Sequence, residues 1–431
     1  MNALVWFRND LRISDNQSLT MACKEDKVMG VFCLDPSLLV IGSCGFRKME
    51  KYRVKFLLES LQTLQENLKS LNISLLIYLQ KPEDILPVLI KEHGINKVYL
   101  QKEWTRNEVN ELSAVRQGCT TAVTFIENYD QFLYHPSDIP YTEFFNIPDI
   151  FTSFRKKCEK YGEIRPSLST PQPKSTNNLL SISTSVPTLS ELGFVPFDPH
   201  PHTAFPFKGG ELAALERIQD YFWDTGKLAF YKRTRNGLLG KDYSSKLSAW
   251  LANGSISPRS IYWAIKEFED KITKNQDTYW LVFELIWRDY FKYVSLKHGY
   301  KIFTLEGILD RAYDWEESET TKLSWIHGTT KEPFVNANMI ELAKTGWMSN
   351  RGRQNVASYW AKELKQDWRI GATYFESMLI DYDVHSNWGN WMYNSGVGND
   401  PRDRKFNIKR QAELYDPSGK FQNLWLQDTL F

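Results

Sequence analysis

The run from Asp242 to Arg259 contains residues that could hold an anion. Ser244, Ser245 and Lys246 stand together there, and we expect them to open a helix. Hydroxyls, unpaired backbone N–H groups and a cation at a helix start would suit a pyrophosphate. An ordinary serine N-cap is the alternative interpretation of the same residues.

The segment from Thr278 to Phe291 predicts a helix that is apolar on nearly every side. One face carries, at helical spacing, Trp280, Glu284, Trp287, Arg288 and Phe291. Such a helix is buried, and a buried carboxylate and guanidinium need partners or a ligand. An internal ion pair among packed tryptophans explains the pattern equally well.

Two later segments combine a few polar groups with aromatic rings. Gly346 to Asn355 predicts a helix with Asn350, Arg353 and Gln354 on one face. Leu379 to Asn394 concentrates Asp381, Asp383, Asn387, Trp391 and Tyr393. Polar groups in an apolar frame suit a planar polar ligand. For the second segment alone, a solvated loop with scattered aromatic residues is the alternative.

Tryptophan is concentrated in the same half of the chain, because 13 of the 15 tryptophans lie at or after Trp223. Spacing alone cannot connect Trp315, Trp368 and Trp391 in space, and core packing is their default explanation. No C-x-x-C pair, H-E-x-x-H or G-x-G-x-x-G motif is present, so we expect no metal and no nucleotide bound by a glycine fingerprint.

The elements that precede these residues alternate between two kinds of pattern. The apolar runs are Ala3 to Phe7, Val28 to Leu34, Ile73 to Leu79, Lys97 to Leu100 and Ala122 to Ile126, and the helical stretches are Lys48 to Lys69, Pro82 to His93 and Asn107 to Arg116. Continuous apolar runs are typical of parallel strands covered on both faces. The alternation predicts a doubly wound parallel sheet.

The fold class expected is therefore α/β plus all-α, in three regions. We expect an α/β domain over residues 1–130, an interdomain linker over 131–209 and a helical domain over 210–431. The linker interpretation depends on Pro166 to Pro206, which holds 8 of the 18 prolines without sustained periodicity. Helical periodicity dominates from Gly210, with a helix start at Ser257 and Pro258.

Composition excludes several classes of protein. The 53 basic and 52 acidic residues nearly cancel, so a nucleic-acid partner would need a local basic patch. No window of about 18 residues is uninterruptedly apolar, and Arg8 and Asp10 interrupt the first apolar run. We expect a cytoplasmic protein, outside the membrane, that acts as a monomer.

Several ordered segments together resemble the photolyase and cryptochrome family over nearly the whole chain. They are WFRNDLRISDN, RTRNGLLGKDYSSKLSAWLANGSISPR, FELIWRDYF, GWMSNRGRQN and DWRIGATYFESMLIDYDVHSNWGNWMYNSGVGNDPR. The resemblance implies an α/β antenna-type domain, a long linker and a helical domain that holds FAD. It also explains the missing glycine fingerprint, because the sheet does not bind the flavin.

The resemblance further implies roles for individual residues. FAD contacts would come from Tyr231, Arg235, Ser244, Ser245, Lys246, Leu247, Ser248, Glu284, Arg288, Asn350, Arg353, Asp381, Asp383 and Asn387, with Arg353 and Asp381 paired beside the isoalloxazine and Asn387 facing its N5. The substrate side would consist of Glu284, Trp287, Gln354 and Tyr393. Trp391, Trp368 and Trp315 match a chain of tryptophans that carries an electron inward to the flavin.

Within the family the chain is most similar to the DASH cryptochromes. Gln354 and Tyr393 stand where conventional bacterial photolyases carry Met and Trp. The resemblance implies blue-light-driven repair of cyclobutane pyrimidine dimers, preferentially in single-stranded DNA, by electron transfer from reduced FAD. The alternatives are a blue-light photoreceptor with little repair, and a flavin redox module in which the tryptophans are core.

An antenna chromophore, 5,10-methenyltetrahydrofolate, is also expected from the resemblance. Glu103, in LQKEWTRNE, is similar to a folate-contacting acidic position, although the segment departs from the pattern at Trp104 and Arg106. An exposed glutamate at a helix start is the alternative interpretation. Contacts to a DNA backbone are expected from Arg155 to Lys157 or from Pro401 to Arg410.

Overall fold

The computed structural model describes residues 1–400 and 402–427, and its first 128 residues build an all-parallel sheet. The strands are β1 (Asn2–Phe7), β2 (Lys27–Cys33), β3 (Leu75–Tyr78), β4 (Lys97–Gln101) and β5 (Thr124–Asn128). Their order is β3-β2-β1-β4-β5, with Val5 of β1 aligned with Gly30 and Tyr99 on its two neighbours. The predicted doubly wound sheet is confirmed.

Alternate residues of β1 enter two different cores, as the pleat of a strand requires. Val5 and Phe7 pack in the core that contains Leu61, whereas Leu4 packs on the opposite face with Leu89. The helices around the sheet are α1 (Gln17–Ala22), α2 (Lys51–Ser70), α3 (Pro82–Glu92) and α4 (Arg106–Gly118). Four of the strands are buried, including the edge strand β3, but β5 at the other edge is half-buried and not covered on both faces as expected.

The region after β5 contains one helix and then a long irregular stretch. In α5 (Phe151–Tyr161), Phe151, Phe154 and Cys158 are buried in the core of the helical part. Beyond it, residues 163–209 contain only a short 3₁₀ turn at Thr176–Asn178. Asn178 fastens that stretch to β2, since its side chain bonds both the N–H and the C=O of Val28, at 2.8 and 2.9 Å.

From Glu211 onward the described chain is helical. Its helices are α6 (Glu211–Ile218), α7 (Tyr231–Thr234), α8 (Ser248–Ala252), α9 (Pro258–Lys271), α10 (Gln276–His298), α11 (Glu319–Ile326), α12 (Pro333–Thr345), α13 (Asn350–Ser358), α14 (Trp368–Met378), α15 (Val384–Ser395), α16 (Ile408–Tyr415) and α17 (Lys420–Gln427). Ser257 caps α9 by accepting from the Ser260 N–H, so the start predicted at Ser257 and Pro258 is confirmed. None of the helices described combines the length and apolarity that a membrane span needs.

The sheet and the helical part meet in a buried polar interface. Arg259 of α9 bonds Asp15 at 2.8 Å and Asp130 at 2.9 Å, which satisfies all three buried charges. Gly254 lies so close to the backbone of Asn9 that an added Cβ would meet the Asn9 carbonyl oxygen at 1.9 Å. Only glycine fits there, because its φ is also +71°.

Candidate functional site

A cavity of about 480 Å³ opens within the helical part, between α7, α8, α10, α13 and α15. Sixteen residues singled out in the sequence line it: Tyr231, Arg235, Ser244, Ser245, Lys246, Leu247, Ser248, Glu284, Trp287, Arg288, Asn350, Arg353, Gln354, Asp381, Asp383 and Tyr393. A second cavity of about 70 Å³ shares Arg353 and Asp381 with it and adds Asn387 and Trp391. Four segments that are distant in sequence therefore converge on one site.

The segment Ser244 to Lys246 does not open a helix, contrary to the sequence expectation. Helix α8 begins at Ser248, and Lys246 has a φ of +63°, a left-handed conformation that cannot continue a right-handed helix. Buried Arg217 holds this turn by donating to the carbonyls of Ser245 and Ser244, at 3.0 and 3.1 Å. Arg217 lies in no motif, so sequence reasoning missed it.

The ammonium of Lys246 is not free to meet a ligand as a solvated cation. Its Nζ is buried without a hydrogen bond and lies 3.1 Å from the centre of the Tyr243 ring. Burial lowers the pKa of Lys246 well below its usual value, although the charge of Glu341 acts in the opposite direction. A ligand at this turn would therefore meet the backbone and the serine hydroxyls, and not a free lysine cation.

Glu284 forms its ion pair with Arg235, at the end of α7, and not with Arg288 one turn along α10. Arg288 donates instead to two backbone carbonyls, Gln131 at 2.6 Å and Leu251 at 3.0 Å. Burial raises the pKa of Glu284, and the neighbouring Arg235 opposes that effect. A carboxylate held in such a pair can still accept a hydrogen bond from a ligand N–H.

At the other side of the cavity Arg353 and Asp381 are paired. Arg353 Nη2 lies 2.9 and 3.0 Å from the two Asp381 oxygens, and the Ser248 hydroxyl adds a bond of 2.7 Å. Arg353 Nε donates to the carbonyl of Met348 at 2.9 Å, so the guanidinium is held on two sides. The pair presents a fixed charge arrangement beside the space for a ligand.

Asp383 caps α15, accepting from the Ser386 N–H at 2.8 Å, and bonds Lys292 at 2.8 Å. Burial acts to raise the pKa of Asp383, but Lys292 and Arg288 outweigh it, so the pKa lies below its usual value. Lys292 is buried on α10 and no sequence pattern had marked it. Asn387, one turn into α15, donates to the carbonyl of Ala372 at 3.0 Å.

Aromatic rings form one wall of the cavity. Trp287 is stacked on Phe151 of α5, with ring centres 3.7 Å apart and planes at 12°. Tyr393 meets Trp287 edge-on at 6.1 Å. Phe151 lies outside the segments marked as chemical in the sequence, and its helix was assigned to the linker. A flat ligand entering the cavity would contact this wall.

The three tryptophans Trp391, Trp368 and Trp315 lie in neighbouring segments. Trp391, 2% exposed, borders the smaller cavity and packs against Gly371, one turn after Trp368 on α14. Trp368 is fully buried, and its Nε1 donates to the carbonyl of Leu305 at 2.9 Å. Trp315 is half-buried. The N–H of the next residue, Glu316, donates to the Lys365 carbonyl at 2.7 Å, which holds the Trp315 segment beside the chain just before Trp368. The series runs from the cavity toward the surface.

A second aromatic cluster touches the same Trp391. The Trp325 ring lies 6.2 Å from Trp391 and 4.6 Å from Trp360. Trp325 and Trp360 are both fully buried. Spacing does not distinguish them from any other core residue, so sequence reasoning missed them.

Two groups of predicted residues lie elsewhere. Glu103 is buried between the sheet and the helical part and lines neither cavity. Arg155 pairs with Glu159 at 2.9 Å, which offsets part of the positive charge expected there for DNA. In the basic segment from Pro401 to Arg410, Pro401 lies outside the described residues, whereas Arg404 lines the main cavity.

Two models of known protein families match this chain, one in each half. Residues 3–174 match the family model described as DNA photolyase, and residues 280–429 match the FAD binding domain of DNA photolyase. Tyr231, Arg235 and the Ser244 to Ser248 turn precede the second match but line the same cavity.

Individual relatives cover almost the full chain. A Cryptochrome DASH of Xenopus laevis is 45% identical over 98% of this chain and 82% of its own length. A Cryptochrome DASH of a Synechocystis strain is 42% identical over 99% of this chain and 87% of its own length. The crystal structure of a Synechocystis cryptochrome aligns with a TM-score of 0.94 at 42% identity, covering 99% of this chain and 88% of that one. An archaeal photolyase from Sulfolobus tokodaii aligns with a TM-score of 0.80 at 26% identity, covering 99% and 90%.

Because both domain models match and relatives above 40% identity cover nearly the whole chain, the chain belongs to the FAD-binding photolyase and cryptochrome family, as a DASH cryptochrome.

Proposed function

We propose that this chain is a blue-light-driven lyase that repairs cyclobutane pyrimidine dimers, preferentially in single-stranded DNA. One observation carries the proposal: the residues expected on the substrate side, Glu284, Trp287 and Tyr393, line the same cavity as the Arg353 and Asp381 pair expected at the flavin. A donor and an acceptor bound in that single cavity would lie close enough for direct electron transfer.

The residues that line the cavity suit FAD. The cavity volume of about 480 Å³ lies within the range of roughly 300–1,000 Å³ that ligand pockets span. The Ser244 and Ser245 hydroxyls and Arg235 suit a diphosphate, and the Arg353–Asp381 pair with Asn387 suits a planar ring that has both donors and acceptors. A bound, reduced FAD would supply the dimer with an electron on excitation by blue light and would recover it once the ring has opened, so that the repair is redox-neutral.

The residues of the chain would bind and orient the substrate. Burial raises the pKa of Glu284 while Arg235 opposes that effect, and the carboxylate of this pair can accept from an N–H of a pyrimidine. Arg235 holds that carboxyl in place through the ion pair. Trp287, supported from behind by Phe151, offers a flat surface for the dimer and excludes water from it.

A preference for single-stranded DNA follows from the cost of reaching this cavity. A dimer must leave the base stack, which costs a few kcal/mol in a duplex and much less in a single strand. Tyr393 offers a smaller surface than a tryptophan, and Gln354 is engaged with Arg351 at 2.8 Å. Both features reduce the stacking energy available to hold an extruded dimer.

A blue-light photoreceptor is the second candidate. The observation that favours it is the series from half-buried Trp315 through Trp368 to Trp391, which would pass an electron inward whether or not DNA is bound. Such a sensor could retain every residue of the cavity, so only turnover distinguishes the two functions.

The test is repair of a thymine-dimer oligonucleotide by the photoreduced protein under blue light, on a single strand and on the matching duplex. We expect repair of the single strand, little repair of the duplex, and a loss of about 10- to 100-fold in repair for Glu284→Gln. Glu267→Gln, which changes an exposed carboxyl in an ion pair with Lys271, is the matched control and should repair normally.

Equal repair of both substrates would contradict the strand preference. No repair of either, in a protein that binds and reduces FAD, would contradict the lyase and favour the photoreceptor.

A further inference from the structure

The parallel sheet has a crevice where ligands commonly bind. Its strand order reverses between β1 and β4, and in open α/β sheets the crevice at the carboxyl ends of such strands is the usual binding place. Here those ends lead into Asn9 and Asp10 after β1, and into Glu103 and Trp104 after β4. The crevice faces the helical part of the chain.

The polar groups of the crevice are buried and incompletely paired. Asp10 Oδ2 and Gln101 Oε1 have no hydrogen-bond partner, and burial raises the pKa of Asp10 to about 6. Glu103 Oε1 accepts from Gln101 at 2.8 Å and from Asn9 at 3.4 Å. A carboxyl oxygen of Asp10 and an amide oxygen of Gln101 without partners, beside the Glu103 carboxyl group, would suit a planar heterocycle that carries N–H donors, such as a pterin.

Trp104, the residue after Glu103, lies at the boundary between this end of the sheet and the helical part. Its ring is stacked on His385 of α15, with centres 4.5 Å apart and planes at 16°, and on Phe132 at 5.6 Å. Its Nε1 donates to Ser295 of α10 at 2.7 Å, and the same hydroxyl bonds His385 Nδ1 at 2.7 Å. The indole thus has an aromatic face and a polar anchor in the helical part.

Glu103 is directed to the same interface. Burial lowers the pKa of Lys292 on α10, while Asp383 and Glu103 act to raise it, so the Glu103 charge is felt across the boundary. Lys292 lies one turn before Ser295, the anchor of Trp104. A planar ligand that reached Glu103 from between the two parts would need the space that the indole occupies. The residues present do not fit a methenyltetrahydrofolate at this position.

We propose that Trp104 closes the chromophore crevice of this protein, which therefore carries FAD without a folate antenna, and that a small residue at position 104 opens a binding site for methenyltetrahydrofolate. The indole is the residue that decides specificity, since the polar groups behind it remain able to bind a pterin.

The experiment titrates purified, FAD-loaded protein with 5,10-methenyltetrahydrofolate and measures bound folate by absorbance after gel filtration. The wild type should retain no folate above the detection limit, and Trp104→Thr should retain at least about ten times the amount at that limit, because removal of the ring leaves an unfilled cavity. Trp263→Thr is the matched control. Trp263 is 41% exposed on α9, so its loss should create no site.

A double variant, Trp104→Thr with Glu103→Gln, shows whether the new ligand uses this crevice, and its folate binding should be weaker than that of Trp104→Thr. Retained FAD absorbance reports correct folding, and Trp104→Leu replaces Trp104→Thr if the latter loses FAD. Stoichiometric folate in the wild type would overturn the proposal. So would a Trp104 variant that keeps FAD and still binds no folate. All of these readouts are independent of repair.

Discussion

One nitrogen of Arg353 bonds both carboxylate oxygens of Asp381, at 2.9 and 3.0 Å, and so joins α13 to the segment before α15 across the candidate flavin site. The Asp381 carboxylate is 4% exposed and the Arg353 side chain 25%, so water screens this pair only in part. Ser248 adds a third bond to the carboxylate from α8. Three elements of the cavity wall therefore depend on Asp381.

Asp381→Asn should weaken FAD binding. The variant leaves Arg353 without its counter-charge in a half-buried place, and loss of one partner of such a pair is costly. We expect FAD affinity to fall about 10- to 100-fold, measured by the fluorescence of released flavin during dialysis. Asp310→Asn is the control, because Asp310 forms an exposed pair with Lys301 at 2.7 Å whose loss should change nothing. Unchanged FAD retention in Asp381→Asn would contradict the assigned role.

Photoreduction of bound FAD should depend on the tryptophan series. Trp391→Phe, Trp368→Phe and Trp315→Phe should each slow it at least about tenfold, because phenylalanine fills the space but is much harder to oxidise. The measurement is the loss of oxidised-flavin absorbance under blue light.

Trp360→Phe is the control for this series, since Trp360 contacts Trp325 at 4.6 Å and belongs to the second cluster. We expect it to photoreduce normally. If Trp360→Phe or Trp325→Phe slowed photoreduction while Trp368→Phe did not, the electron would travel through the second cluster instead.

Activity on duplex DNA should rise when the aromatic wall is enlarged. Tyr393→Trp adds stacking surface beside Trp287, and Gln354→Met removes an amide that now accepts from Arg351. Base–aromatic stacking contributes about 1–3 kcal/mol, so we expect about a tenfold gain for the double variant on a duplex and little change on a single strand. Absence of any gain on the duplex would mean that the wall does not limit duplex repair.

Stability should depend on pH through Glu341 of α12. This carboxyl is 1% exposed, and burial raises its pKa from 4.5 to about 8, against the charges of Lys246 and Arg353. Between these two values the folded protein binds more protons than the unfolded chain, so the free energy of unfolding falls as pH rises through this window.

Glu341→Gln removes this contribution. The unfolding free energy of the variant minus that of the wild type should therefore be about 1–3 kcal/mol larger at about pH 8 than at about pH 5. Urea unfolding of both proteins at both pH values measures this difference. Lys246, whose pKa burial lowers, contributes a slope of opposite sign in both proteins. Parallel pH profiles would contradict a buried, titrating Glu341.

Features that depend on short stretches of chain were predictable. The apolar runs of β1 and β2 and the helical repeat of α2 are local patterns, and the doubly wound sheet follows from their alternation. Helical spacing likewise placed Glu284 and Trp287 together on α10, and the resemblance named the residues that the cavity now brings together. Local periodicity and turn chemistry depend on residues that are close together in the chain, so they can be recognised in a single sequence.

Other features needed the packed chain. The partner of Glu284 is Arg235 and not the nearby Arg288, Lys246 turns its ammonium inward through a left-handed turn, and Trp104 stacks on His385 from 281 positions away in the sequence. In each case several partners are available locally, and burial selects the one that best satisfies the charge or ring after the elements have packed. That choice compares energies between segments that are far apart in the chain, which residue spacing does not encode.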